Sequence, residues 1–171
     1  MRELTADEIR AGFINLDADD AARVPMPGLH EVLWTDREFL GWRDPSLAGR
    51  GYLAIDTPDG ALAIVVRRAD SFGGRAVSAM CSLCRSTQPI SQVSLHSAVR
   101  AGARGRDGST VGTYICDDLD CPHKIRMLPS SSPGGLVHGD LLAERSRGLR
   151  QRLEGFADVV ASSGSEAGPE G

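Results

Sequence analysis

The chain contains four cysteines, and they stand in two close pairs. Cys81 and Cys84 are separated by two residues, Cys116 and Cys121 by four, and thirty-one residues lie between the pairs. Each pair can fix two corners of a tetrahedral zinc site, in which every sulfur ligand lies about 2.3 Å from the ion. The spacing therefore predicts a closed structural zinc site whose ligands are these four cysteines.

Disulfides or redox-active thiols are the alternative chemistry for two cysteine pairs. Residues 1–8 are charged and carry no apolar signal core, so we expect a cytoplasmic protein in a reducing compartment. In such a compartment, closely spaced cysteine pairs bind metal more often than they form disulfides. A catalytic zinc is disfavoured because it uses three protein ligands and leaves the fourth position to water. His123 could replace one cysteine, although four thiolates already complete the set.

No catalytic motif accompanies the cysteines. The sequence has no His-x-Glu segment of the zinc deaminases, no phosphate-binding P-loop, no Gly-x-Ser-x-Gly and no His-Glu-x-x-His. The four histidines are scattered along the chain and indicate no triad. We therefore predict that the protein is not an enzyme.

Length, composition and charge limit the number of domains and the kinds of partner that the protein can have. With 171 residues, 41% of them hydrophobic, the chain can form one domain or two closely joined pieces. No apolar run approaches the roughly 20 residues that cross a bilayer, so we expect a soluble protein. The net charge is −4, but residues 76–128 are mildly basic, with six Lys or Arg and four Asp or Glu. That excess is too small for nucleic-acid binding through counterion release alone.

Ahead of the cysteines, local patterns predict a helix and a hairpin. Thr5 and Glu8 have the spacing of a capping box, and the apolar residues that follow at helical spacing predict a short helix that ends near residue 15 or 16. A solvated acidic loop is expected after this helix. Residues 52–56 and 61–66 are β-prone runs on either side of a Pro-Asp-Gly turn, which predicts an antiparallel hairpin.

Around the cysteines, the sequence predicts the elements of a treble-clef finger. A strand at 76–80 delivers the first pair, strands at 90–95 and 111–116 form a hairpin with a long, mobile tip at 100–108, and a helix begins at Cys121. In a treble clef, the metal likewise pins a knuckle turn to the first turn of a helix that follows a hairpin. We therefore predict an α+β fold in which antiparallel β-hairpins and flanking helices surround a four-cysteine treble-clef zinc finger.

The predicted organisation has five parts. They are an N-terminal helix and loop (1–28), an α/β domain (29–128) whose finger spans 76–128, a linker (129–139), a C-terminal helix (140–161) and a disordered tail (162–171). The linker and tail are assigned from their proline, glycine and small polar residues. The C-terminal helix has one broad apolar face, so we expect it to dock on the domain with its arginines in water.

Several of these segments together resemble a known family. The motifs are Phe39-Leu40-Gly41-Trp42, the hairpin that starts at Tyr52, Cys81-Ser82-Leu83-Cys84, and Gly112-Thr113-Tyr114-Ile115-Cys116 with Cys121. Over residues 30–128 the chain resembles the carboxy-terminal domain of the elongation factor G-binding, FusB-type fusidic acid resistance proteins. The resemblance implies an α/β module around a treble-clef zinc, and non-enzymatic binding to elongation factor G that frees the factor from stalled ribosomes.

The resemblance has one departure. Proteins of the resistance type carry a helical bundle before this domain, whereas about thirty residues precede the shared part here. We therefore expect binding to elongation factor G or the ribosome rather than antibiotic resistance.

Three residues are candidates for the partner surface. Tyr114 is the aromatic residue beside the cysteines in the matching motif, and Lys124 and Arg126 follow the last cysteine. Each also has a simpler explanation, because the Tyr114 ring can pack over the metal site and the two cations can be solvated.

Two other functions stay open. A cysteine-based metal or redox sensor would require reactive sulfur atoms. A ribosomal RNA-binding zinc module would use the cations of the finger, which are Arg85, Arg100, Arg104, Arg106, Lys124 and Arg126.

Overall fold

The computed structural model describes residues 1–69, 77–127 and 138–162. Its centre is a five-stranded antiparallel sheet in the order β1-β2-β3-β6-β7, and β4 and β5 form a separate two-stranded sheet. The strands are β1 (Leu40–Arg43), β2 (Arg50–Thr57), β3 (Gly60–Arg68), β4 (Ser78–Met80), β5 (Thr87–Pro89), β6 (Val93–Val99) and β7 (Thr110–Cys116), and the helices are α1 (Ala6–Ala11), α2 (Ala18–Ala22), α3 (Gly102–Arg106), α4 (Cys121–Met127) and α5 (His138–Ala161). The predicted fold class is confirmed.

The β2–β3 hairpin forms where the sequence predicts it. Thr57 pairs with Gly60 at the turn, and the Thr57 hydroxyl donates a 2.9 Å hydrogen bond to the Gly60 carbonyl. Gly60 has a φ of +126°, a conformation that glycine adopts without strain. Successive β2 side chains point to opposite faces, so Leu53 and Ile55 enter one apolar core while Tyr52 enters another.

The N-terminal segment covers the core that contains Tyr52. The Thr5–Glu8 capping box is confirmed, but the predicted helix end at residue 15 or 16 is wrong, because α1 ends at Ala11. The chain then runs along β3, where the Ala63 amide donates to the Gly12 carbonyl at 2.8 Å. Backbone pairing with a strand is incompatible with continued helix, so the apolar pattern belongs to a helix followed by an extended segment.

Two segments predicted as loops contain short helices. The acidic stretch after α1 forms α2, whose first turn is capped by Asp17 through a 2.7 Å bond from the Asp20 amide. The hairpin tip at 100–108 contains α3 rather than a long irregular loop. The tip is also held in place, since the Ala101 amide donates to the Val160 carbonyl of α5 at 2.8 Å.

Helix α5 docks on the sheet and on the finger. Its buried side chains are Leu141, Leu149, Leu153, Phe156, Ala157 and Val160. Arg150 pairs with Asp56 of β2 at 2.8 Å, and the Arg152 Nε donates to the Leu83 carbonyl between the first two cysteines at 2.5 Å. The helix begins at His138, two residues before the predicted start. The rest of the predicted linker and the tail after Ser162 lie outside the described residues.

Within the described residues, no helix combines the length with the apolar character that a membrane span requires.

Candidate metal centre

The four cysteine sulfur atoms lie within 4.8 Å of one another, and all four residues are buried. The Sγ atoms of Cys81 and Cys121 are 3.6 Å apart, as are those of Cys84 and Cys116. Sulfur ligands at about 2.3 Å from a tetrahedral zinc ion stand roughly 3.8 Å apart, so the donor set fits this ion. Bonded sulfur atoms would be about 2.05 Å apart, so the cysteines are free thiols rather than disulfides.

The packing of the sulfur atoms against one another opposes the ionisation of Cys121. The neighbouring sulfur of Cys116, followed by those of Cys81 and Cys84, holds the pKa of Cys121 well above that of an ordinary thiol. A bound divalent ion reverses this effect, because a coordinating thiol is deprotonated outright. Four protein thiolates leave no position for water, so the site is structural, and burial removes the exposure that reactive cysteines need. His123 is exposed and lies outside the cluster.

The first cysteine pair lies in the turn between β4 and β5. The Cys81 amide donates to the Ser86 carbonyl at 3.0 Å, and the Arg85 amide donates to the Cys81 carbonyl at 3.0 Å. The Cys84 amide points at the Cys81 sulfur at 3.4 Å. Backbone bonds therefore aim both sulfur atoms at the same point.

Ser86 and Gln88 support two of the sulfur ligands. The Gln88 amide nitrogen lies 3.1 Å from the Cys116 sulfur and 2.7 Å from the Ser86 hydroxyl, which in turn lies 3.0 Å from the Cys84 sulfur. Hydrogen bonds to a thiolate favour its charged form and fix its orientation. Sequence analysis did not identify either residue.

Replacing Gln88 with leucine should weaken zinc binding about 10- to 100-fold, the usual cost of losing a group that orients a metal ligand. The leucine keeps the volume of the side chain but donates no hydrogen bond to the Cys116 sulfur. Competition with a chromophoric chelator measures the zinc dissociation constant. The control is Thr87→Ala at the exposed neighbouring position, and equal affinities for the two variants would contradict the assigned role.

The loop between Cys116 and Cys121 lies directly on the main sheet. Leu119, at its centre, is 1% exposed and has a φ of 58°. A Cβ atom added at Gly41 would meet the Leu119 carbonyl oxygen at 2.2 Å, and one added at Gly51 would meet the Leu119 side chain at 2.4 Å. Because these two glycines have no side chain, the loop between Cys116 and Cys121 can pack directly on the backbone of the main sheet.

The three aspartates of this loop are paired with cations from four other parts of the chain. Burial acts to raise the pKa of Asp117, but hydrogen bonds from Arg68 and Ser94 outweigh it and hold this pKa below its usual value. The loop is therefore held to the sheet by charge as well as by packing. The ion pairs are Asp117 with Arg43 at 2.8 Å and with Arg68 at 3.0 Å, Asp118 with Lys124 at 3.0 Å, and Asp120 with Arg37.

The candidate partner residues lie in different environments. The Tyr114 side chain is 50% exposed, while its carbonyl accepts a 2.7 Å hydrogen bond from the Ser82 amide. Lys124 is paired with Asp118, as described above. Arg126 makes two hydrogen bonds to Glu38, at 2.9 and 3.1 Å, and so has a role inside the protein.

Sequence analysis did not identify Glu38, which is only 5% exposed. Its carboxylate also accepts a 2.7 Å hydrogen bond from the Ser146 hydroxyl, so it joins α4 to α5. The one signal in the sequence is an acidic residue directly before the apolar run that starts at Phe39.

The comparisons with known proteins agree with this geometry. No curated protein and no solved structure matches the chain. The family model described as the FBP C-terminal treble-clef zinc-finger matches residues 8–160, a longer span than the resemblance at 30–128. The match begins within α1 and takes in α2 and nearly all of α5. The chain is a member of the FBP C-terminal treble-clef zinc-finger family, and its four clustered cysteines form the zinc site.

Proposed function

We propose that the protein binds elongation factor G and acts on the interaction of this factor with the ribosome, without catalysing a reaction. The observation that carries the proposal is the family match over residues 8–160 together with the four-cysteine cluster. Both agree with the resemblance to the FusB-type proteins, whose implied activity is binding to this factor. The proposal places the protein in the cytoplasm, where the factor and the ribosome work.

Exposed apolar side chains beside the zinc finger support a role in binding. Met80 of β4 is 52% exposed, Ile90 after β5 is 44% exposed, and Tyr114 of β7 is 50% exposed. The Ser82–Tyr114 backbone hydrogen bond joins the strand of Tyr114 to the knuckle. Aromatic residues held on a rigid support are the usual anchors of protein interfaces. We therefore propose Tyr114 as the central contact.

Lys124 and Arg126 take different parts in the proposed surface. Lys124 is 26% exposed and its pKa is raised by the hydrogen bond to Asp118, so it stays charged and can contribute at the rim. Arg126 is held by Glu38, so its contribution is to fix α4 beside the metal. Rim charges affect association rates more than affinity.

Binding to ribosomal RNA is the weaker alternative, because at least three of the six cations it needs have other partners. Arg100 donates to the Val159 carbonyl at 2.7 Å and to the Ser162 hydroxyl at 2.8 Å. Lys124 and Arg126 are paired with carboxylates. RNA binding without base readout requires a cationic face that is free to contact phosphates.

The test is a binding assay between the purified protein and purified elongation factor G, with nuclease present. We expect retention of the factor at micromolar concentrations, and Tyr114→Ala should weaken it at least tenfold, as is typical of an interface anchor. Leu47→Ala, at another half-exposed apolar position, is the matched control. Adding the protein to ribosomes stalled with the factor should release the factor in a sedimentation assay.

No retention at micromolar concentrations would overturn the proposal. Retention from a lysate that disappears on nuclease treatment would favour the RNA alternative instead.

A further inference from the structure

Two arginines face each other across β2 and β3 with no carboxylate between them. Arg50 and Arg67 are directly opposite in the strand register, so their side chains project from the same face of the sheet. Like charges at such positions destabilise a sheet. Within residues 1–69, 77–127 and 138–162, neither guanidinium has an ion pair or a hydrogen bond.

Arg50 is held in place by its surroundings although its polar atoms have no acceptor. The Nε atom is buried without a hydrogen-bond partner. The guanidinium carbon lies 5.5 Å from the centre of the Tyr52 ring, and the Tyr52 hydroxyl donates to Asp44. A buried donor left unpaired costs free energy, so an acceptor at this position would stabilise the arrangement beyond the attraction that Asp44 already exerts on Arg50.

The two arginines line a cavity with a rigid floor. The cavity has a volume of about 240 Å³ and is also lined by Ser97, which pairs with Arg67 across β3 and β6. At its base, the Asn15 side-chain amide bonds to the Val65 carbonyl at 3.0 Å and to the Val99 carbonyl at 3.1 Å. The Val65 amide donates back to Asn15 at 2.9 Å. These bonds join β3 to β6 where the two strands diverge, so the floor of the cavity is fixed by the backbone of the sheet.

A second cavity, of about 400 Å³, continues the first. The two share Asn15, Leu16 and Val99 in their walls, and Val99 is 45% exposed. The surface is therefore an extended groove, which has Arg50 and Arg67 at one end, aliphatic side chains along its middle, and Arg100 and Arg106 at the other end. We call it the Arg50–Arg67 groove.

The chemistry of the groove favours a peptide over a nucleic acid. Its middle is aliphatic and has no exposed aromatic ring on which a base could stack, since Tyr52 lies under Arg50 and is 1% exposed. Asp17 and Asp20 also line the groove and oppose any anion in proportion to its charge, so they disfavour a chain of phosphates more than a segment that buries one carboxylate. Arginine pairs with carboxylates through two parallel hydrogen bonds, and an aliphatic side chain next to that carboxylate would meet Leu16 and Val99.

We propose that the Arg50–Arg67 groove binds an acidic segment of a partner protein, in which a glutamate or aspartate lies between the two guanidinium groups and a neighbouring aliphatic side chain packs on Leu16 and Val99. The proposal concerns a site apart from the metal ligands, and it does not require the partner to be elongation factor G.

The test uses the full chain and a synthetic probe, a blocked five-residue peptide of alternating glutamate and leucine. In an NMR titration up to about 5 mM peptide, where a dissociation constant of about 1 mM is detectable, the Nε–H signals of Arg50 and Arg67 and the methyl signals of Val99 should shift together. The same peptide with glutamine in place of glutamate should bind at least tenfold more weakly, because each hydrogen bond between charged groups is lost.

Arg67→Met, which keeps the aliphatic stem, should weaken peptide binding at least tenfold. It should melt at the same or a higher temperature, because the repulsion from Arg50 is gone. Arg147→Met on the exposed side of α5 changes the net charge equally and should leave binding unchanged.

Three results would overturn the proposal. The first is an acidic peptide that moves none of these signals, and the second is an oligouridine that moves them at lower concentration than the peptide does. The third is an Arg67→Met variant that loses stability, since the arginine would then serve the fold.

Discussion

Replacing Cys116 with serine is expected to abolish zinc binding and the folded state of the finger together. Apparent zinc binding in finger peptides is worth about 10–16 kcal/mol near neutral pH, as much as the whole stability of a typical domain, about 5–15 kcal/mol. Cys116 is 0% exposed and belongs to the main apolar core, together with Leu53 of β2 and Leu149 of α5. The loss of ordered structure should therefore extend from the metal site to the sheet and to α5.

Zinc content and a thermal melt measure this result. We expect Cys116→Ser, and likewise Cys81→Ser, to carry no stoichiometric zinc and to lack a cooperative transition. Ser82→Ala changes a residue that lies between two ligands without being one, and it should keep both properties. A Cys116→Ser variant that melts cooperatively at the wild-type temperature would show that the fold does not depend on the metal.

The zinc site could be predicted from the sequence because its signal is local. Two short spacings bring the sulfur atoms of each pair together before any tertiary structure is considered. The groups that support the sulfur atoms carry no such signal. Gln88 lies beside Cys116 only because the β4–β5 turn folds over the end of β7, and a separation of 28 positions along the chain hides this contact in the sequence.

The end of α1 was harder to predict, because a tertiary contact of the residues that follow it determines where the helix stops. Residues 12–15 continue the apolar spacing of α1, yet they leave the helix to pair with β3. They do so where β3 and β6 share only the pairs at Arg67 and Arg68, which leaves the edge of β3 open for another segment. The divergence of β3 and β6 depends on residues far apart in the sequence, so no local pattern predicts it.

The resemblance motif Phe39-Leu40-Gly41-Trp42 acquires a physical reason from the structure. Phe39 and Trp42 are buried in different cores, and Gly41 lies between them under the metal loop. The glycine is the point at which the backbone of the main sheet approaches the backbone between the last two cysteines. The motif therefore connects the two parts of the fold that the zinc ion stabilises.

Replacing Gly41 with alanine should destabilise the protein and weaken zinc binding. The added Cβ would lie 2.2 Å from the Leu119 carbonyl oxygen, and a backbone atom cannot rotate away from such a contact. Overpacking a core typically costs about 1–3 kcal/mol, and the upper end of this range or more is expected here because the whole 117–120 loop has to move. Since Cys116 and Cys121 flank this loop, the displacement should also raise the zinc dissociation constant.

Alanine substitutions at three glycines separate the effect of the clash with Leu119 from the effect of adding a methyl group. Gly51→Ala would meet the end of the Leu119 side chain, which can adjust, so it should cost less than Gly41→Ala. Gly155→Ala in α5 meets nothing within 4 Å and should stabilise the helix by about 0.5–1 kcal/mol. Denaturant melts rank the three variants by stability, and zinc competition ranks them by zinc affinity. A Gly41→Ala variant as stable as Gly155→Ala would mean that the metal loop does not rest on the sheet, and the glycine of the motif would then need another explanation.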